Sequence, residues 1–141
     1  MGRKHMTDEA NLIAWSLGEV AERHGDPTAA VYDRLFAQSP EMRGLFQGDD
    51  TGAVRGEMLS VVFGTLLDFA GPSSYASNMI RAEIINHENI GVPPAVFATF
   101  FTTVMGAVRD LLGEAWTPQV QDAWDAMLAE IGRVVEERVP A

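Results

Sequence analysis

Apolar residues recur along this chain every three to four positions, and helix-breaking residues interrupt them at regular intervals. Thr7-Asp8-Glu9 is a helix start that places acids on the positive end of the dipole. Ile13, Leu17, Val20 and Ala21 follow on one face, Leu12 and Trp15 widen it, and the helix ends near His24-Gly25. Asp26-Pro27 opens a second helix, a capping residue followed by proline in the first turn, with Val31, Tyr32, Leu35 and Phe36 on its apolar face. Ser39-Pro40-Glu41 repeats that signal for a short third helix closing at Leu45-Phe46, and a polar, turn-rich loop covers 47–52. Residues 53–70 form the next helix, burying Leu59, Val62, Phe63, Leu66 and Phe69. A break at Gly71-Pro72-Ser73-Ser74 precedes a helix over roughly 74–88, which Gly91 and Pro93-Pro94 stop.

Two long, regular helices complete the chain. Val96, Phe97, Phe100, Phe101, Val104, Met105, Val108, Leu111 and Leu112 line the first, which ends at Gly113. Thr117-Pro118 starts the second, with Val120, Trp124, Met127, Leu128, Ile131, Val134 and Val135 on one side and fraying from Glu136. No strand signal, repeat or low-complexity tract appears. The pattern predicts an all-α domain of six to seven helices.

Composition narrows the chemistry. At 141 residues the chain makes one domain with a substantial core. A net charge of −10 argues against nucleic-acid partners and anionic membrane surfaces. The absence of cysteine excludes disulfides, thiolate-ligated haem and cysteine-held zinc or iron–sulfur sites. The apolar run Met58–Leu67 is too short to span a bilayer. Residues 1–6 read as a disordered or tag-derived lead-in, with Met6 as the natural start, and 7–141 as the domain; without a secretory apolar segment, the cytoplasm is the expected location.

One histidine falls outside the first 24 residues. His87 closes the helix that carries Ile84-Ile85, directly before the stop at Gly91. A histidine fixed at a helix end against an apolar wall suits a neutral imidazole ligating a metal or haem iron. The same placement also suits a partly exposed histidine that only caps its helix.

The segment Val31-Tyr32-Asp33-Arg34-Leu35-Phe36-Ala37-Gln38-Ser39-Pro40-Glu41-Met42-Arg43-Gly44-Leu45-Phe46 resembles the globin family, in particular the haem domain of bacterial flavohaemoglobins and single-domain bacterial haemoglobins. The resemblance implies a three-over-three helical sandwich around haem b, iron protoporphyrin IX. It assigns Tyr32 to the distal side, Phe46 to the porphyrin face and His87 to the iron, with Asn86, Val92 and Phe97 also contacting cofactor. Arg55-Gly56-Glu57-Met58-Leu59 resembles the distal helix, which implies Arg55 as a gate that also reaches bound ligand or a propionate, and Leu59 over the iron. A shifted register puts Met58 at the gate, where it is also a candidate sixth ligand, and Val62 over the iron.

The departures from the family pattern are specific. The usual distal histidine or glutamine is absent, and Phe97 stands where flavohaemoglobins place a tyrosine. The family's polarising glutamate in the last helix has no secure match, Glu136 and Glu137 being nearest, and Glu83 replaces an expected apolar residue. Without that carboxylate the expectation is a more neutral imidazole, suited to carrier or sensor behaviour. The implied function is reversible binding of O2, NO or CO, with no catalytic residue assigned. Nitric oxide dioxygenation with a separate reductase, gas sensing through a signalling partner, and a haem-free interaction module are the alternatives. The chain is expected to be a monomer or homodimer.

Overall fold

The computed structural model describes residues 8–71 and 75–138. Six α-helices run in order: α1 (Asp8–His24), α2 (Thr28–Gln38), α3 (Ala53–Ala70), α4 (Ala76–Glu88), α5 (Pro94–Leu112) and α6 (Pro118–Arg138). Short 3-10 segments, Pro40–Phe46 and Gly113–Ala115, join α2 to α3 and α5 to α6. Among the described residues there is no strand, as the periodicity predicts. The lead-in expected at 1–6 and the break at 72–74 lie outside the described residues.

α5 is the central element and packs on α1, α2, α4 and α6; α6 packs in turn on α1 and α4. By length and apolarity Pro94–Ala115 also matches a membrane-crossing helix. Phe101, Val104, Met105, Val108 and Leu112 instead bury its apolar face in the common core. Trp124 is fully buried at the α1–α6 crossing and donates its indole N–H to Ser16 Oγ at 3.0 Å. Ser16 donates onward to the Ile13 carbonyl at 2.7 Å, so this polar pair sits in the core without an unmet group.

The short third helix forms over Pro40–Phe46, as a 3-10 segment. Two details depart from the expected pattern. Trp15 lies at the surface, 38% exposed, off the α1 core stripe of Ile13, Leu17 and Val20. α6 does not fray at Glu136 but runs to Arg138, and Glu137 Oε1 accepts from Arg81 of α4 at 2.8 Å.

Two buried aspartates set the helices that frame the site. The Asp49 carboxylate accepts the Val54 and Arg55 amides at 3.0 Å each, capping α3 from the preceding loop. Asp68, near the end of α3, accepts the Tyr75 amide at 3.0 Å and the Ala76 amide at 2.8 Å, capping α4 from its neighbour. The Tyr75 hydroxyl donates to the Gly64 carbonyl at 3.2 Å, a second tie between α3 and α4. The end of α4 turns through Gly91 at φ +93°, a left-handed conformation that favours glycine. The Val92 amide closes back on the His87 carbonyl at 2.9 Å. Extended Pro93 then leads into α5, with Pro94 at its first position.

Candidate functional site

A cavity of about 410 Å³ opens among α2, α3, α4, α5 and the Pro40–Phe46 segment. That volume falls within the range of small-molecule and cofactor pockets, roughly 300–1,000 Å³. Its lining is apolar and aromatic, and among the described residues its only charged side chains are Glu57 and Glu83. Tyr32, Phe46, His87, Val92 and Phe97 all line it. Residues some 65 positions apart in the chain therefore share one pocket, as the resemblance implies they should.

α2 carries Tyr32 into a nest of rings. Phe46 meets it edge-on at 5.3 Å between centroids, and Phe100 and Phe36 lie at 5.6 and 6.0 Å. The side chain is 1% exposed, and its hydroxyl has no hydrogen-bond partner among the described residues. A buried donor left unpaired costs about 1–3 kcal/mol. Burial pushes the phenol up to about 12; the Arg55 charge opposes that shift and the Asp49 charge adds to it. Tyr32 therefore keeps its proton and offers an O–H donor to whatever enters the cavity.

His87 reaches the cavity from the last turn of α4. Its Nδ1 lies 2.8 Å from the Glu83 carbonyl oxygen, so Nδ1–H is the donor and Nε2 is left to bind a ligand. The imidazole packs edge-on against Phe97 at 5.1 Å. From there an aromatic arc crosses the pocket. Phe97 touches Phe101 at 5.6 Å, Phe101 touches Phe100 at 6.5 Å, and Phe100 touches Tyr32. Three of these rings stand on α5 at positions i, i+3 and i+4, one helix face, so a single stripe joins the two polar groups.

α3 is apolar nearly all round because it works on two fronts. Leu59 and Leu66 pack into the core, 3% and 0% exposed. Val54, Met58, Val61, Val62 and Thr65 line the cavity. Of the two registers open in the sequence, the structure therefore brings Met58 and Val62 to the pocket and does not bring Arg55 or Leu59. Arg55 is held by Asp49: its Nε donates to Oδ2 and a terminal NH2 to the main-chain oxygen, both at 2.9 Å. Burial pushes the Asp49 carboxyl up. The hydrogen bonds from Arg55 and Val54 outweigh that and hold it below the usual carboxylate range.

Asn86 likewise stands outside the pocket lining, exposed, and donates to Glu83 Oε2 at 3.3 Å. Phe100, Phe101, Glu57 and Glu83 belong to the lining but were absent from the residues assigned to the site. The two phenylalanines read in the sequence as core, which they also are. Glu83 was visible as a departure, and its position one turn before His87 was the signal.

Among the described residues no group of three or more His, Cys, Asp or Glu could hold a metal ion. A metal on His87 would take its remaining ligands from outside these side chains. A flat apolar group fits the donor set: one imidazole nitrogen, one unpaired phenol and walls of hydrocarbon.

The chain belongs to the globin family, whose model, Globin, matches residues 29–135. It is similar to the flavohemoprotein of Bordetella pertussis, 23% identical over 128 residues that cover 89% of this chain and 32% of the relative. It also matches the flavohemoprotein of Bacillus subtilis, 26% identical over 110 residues, 75% of this chain and 27% of the relative. That of Deinococcus radiodurans is 25% identical over 129 residues. The chain thus spans about a third of the length of the curated relatives it matches. Family and relatives together support a haem-binding globin.

Proposed function

We propose that this chain binds haem b through His87 and uses it to bind a diatomic gas, O2, NO or CO, reversibly. The observation that carries this reading is the pairing in one apolar cavity of an imidazole with its Nδ1 already engaged and a buried phenol with no partner. Bound at His87, haem iron supplies a coordination position for the gas. The chain's own residues do the rest. Phe46, Val92 and Phe97 pack the macrocycle and exclude water. Tyr32 holds a proton where partial negative charge develops on a bound ligand, and a dry site strengthens that hydrogen bond.

Val62 takes the apolar position beside the ligand, and Met58 the gate. Arg55, latched to Asp49, contributes charge near Tyr32 without lining the pocket. A redox role with a separate flavin-bearing reductase is the second reading, supported by the chain's similarity to flavohemoproteins.

Hemin titration of the wild-type and His87→Ala proteins tests the assignment. The wild type saturates at one haem per chain with a sharp Soret band; His87→Ala loses that stable complex. An unchanged spectrum and stoichiometry in His87→Ala would show that His87 is not the iron ligand.

A further inference from the structure

We infer that Glu83 is the carboxylate partner of the His87 imidazole, supplied by the histidine's own helix. This rests on His87 as the haem ligand. Glu83 sits one turn before His87 and meets it twice. Its main-chain oxygen lies 2.8 Å from Nδ1, and its side-chain Oε1 lies 3.6 Å from the same nitrogen. The main-chain contact fixes the tautomer and the ring angle. The carboxylate adds negative charge beside the N–H without taking the hydrogen bond.

Asn86 donates to the other carboxylate oxygen at 3.3 Å, a second tie on the Glu83 side chain. Glu83 also lines the cavity, its side chain 36% exposed, so solvent screens part but not all of its charge. Glu137 of the last helix is engaged elsewhere. Glu137 pairs with Arg81, whose Nε and a terminal NH2 lie 3.2 and 2.8 Å from its Oε1.

A negative charge beside the outer N–H of a metal-bound imidazole raises the basicity of the coordinating nitrogen. The more electron-rich ligand favours the higher iron charge. Glu83 therefore lowers the ferric–ferrous potential and strengthens the iron–histidine bond. Glu83 acts through His87 and touches no gas ligand, so it is a positioning residue. An apolar residue at 83, as the family pattern expects, would leave the main-chain hydrogen bond and remove the charge.

The test compares haem-reconstituted wild type, Glu83→Gln and Glu137→Gln. Haem stoichiometry is read from the Soret band, the ferrous iron–histidine stretch by resonance Raman, and the midpoint potential by spectroelectrochemistry. Glu83→Gln should load one haem per chain, shift the stretch to lower frequency and raise the potential. Glu137→Gln should leave both readouts at the wild-type values. A Glu83→Gln protein with unchanged stretch and potential overturns the proposal, as does a shift in Glu137→Gln of the size expected for Glu83→Gln. If the wild type fails to load haem or shows no iron–histidine stretch, the haem reading itself fails, a result distinct from either of those.

Discussion

The Tyr32 hydroxyl is the most informative single atom in this chain, because nothing in the fold needs it. It is buried in a ring of phenylalanines with no partner among the described residues, so it weakens the ligand-free protein. Tyr32→Phe should therefore stabilise the ligand-free protein, by up to about 3 kcal/mol in urea unfolding, while speeding O2 release from the haem-loaded form. A gain in stability with faster release is the mark of a functional donor; a loss in stability would show that the hydroxyl serves the fold. The alkaline limb gives a second check. The native phenol titrates near 12, against about 10 when unfolded. Burial of the phenol has no effect on the pH dependence of folding below pH 10, and the protein loses stability as pH rises from there through the native value, because the unfolded phenol ionises first. In Tyr32→Phe that component of the alkaline destabilisation should disappear. Tyr32 and His87 were both legible in the sequence. The unpaired state of the hydroxyl was not, because it depends on which atoms a tertiary fold brings within reach.

At the scale of elements, α3 shows where periodicity alone stops. Val54, Met58, Val61, Val62 and Thr65 form one stripe and Leu59 and Leu66 another, so the helix is apolar on both sides. An apolar helix with two apolar sides does not reveal which side faces a cavity, and the sequence favours the Arg55–Leu59 register, with Met58–Val62 the alternative. The structure separates them by what each side touches. Leu59→Ala should cost about 2–5 kcal/mol of stability, as core leucine truncations do, and leave gas on-rates near wild type. Val62→Trp should slow gas entry by filling the pocket. Stopped-flow CO binding and urea unfolding distinguish the two effects, and a reversed pattern would restore Leu59 to the position over the iron.

Asp49 belongs to the same element. Its hydrogen bonds to α3 hold its native titration below the ordinary value of 3.8. Its contribution is complete above that value and is lost as pH falls through the lowered native value. Asp49→Asn should lower the melting temperature at neutral pH and flatten the loss of stability below pH 4. Faster hydrogen exchange at the Val54 and Arg55 amides would locate the change at the start of α3.

The whole molecule is a set of helices packed around α5, with a cavity framed by caps reaching between elements. The number of helices, their order and the stops at Gly91, Pro93 and Gly113 were readable in sequence because each is local chemistry. The caps from Asp49 and Asp68, the Arg81–Glu137 tie that carries α6 to its end, and Glu83 beside His87 depend on tertiary neighbours. A pocket this apolar leaves hydrocarbon in contact with solvent until a ligand covers it, so occupancy and stability are linked. Haem at a thousandfold excess over its dissociation constant should stabilise the chain by about 4 kcal/mol, read as a rise in melting temperature with hemin concentration.

The most direct measurement is the absorption spectrum of the purified protein titrated with hemin, then reduced with dithionite, then exposed to CO. A Soret band saturating at one haem per chain, shifting on reduction and again with CO, is the predicted result. It would show an iron site open to a gas ligand. No stoichiometric Soret band even in excess hemin would contradict the account, leaving a globin fold whose cavity serves some other ligand.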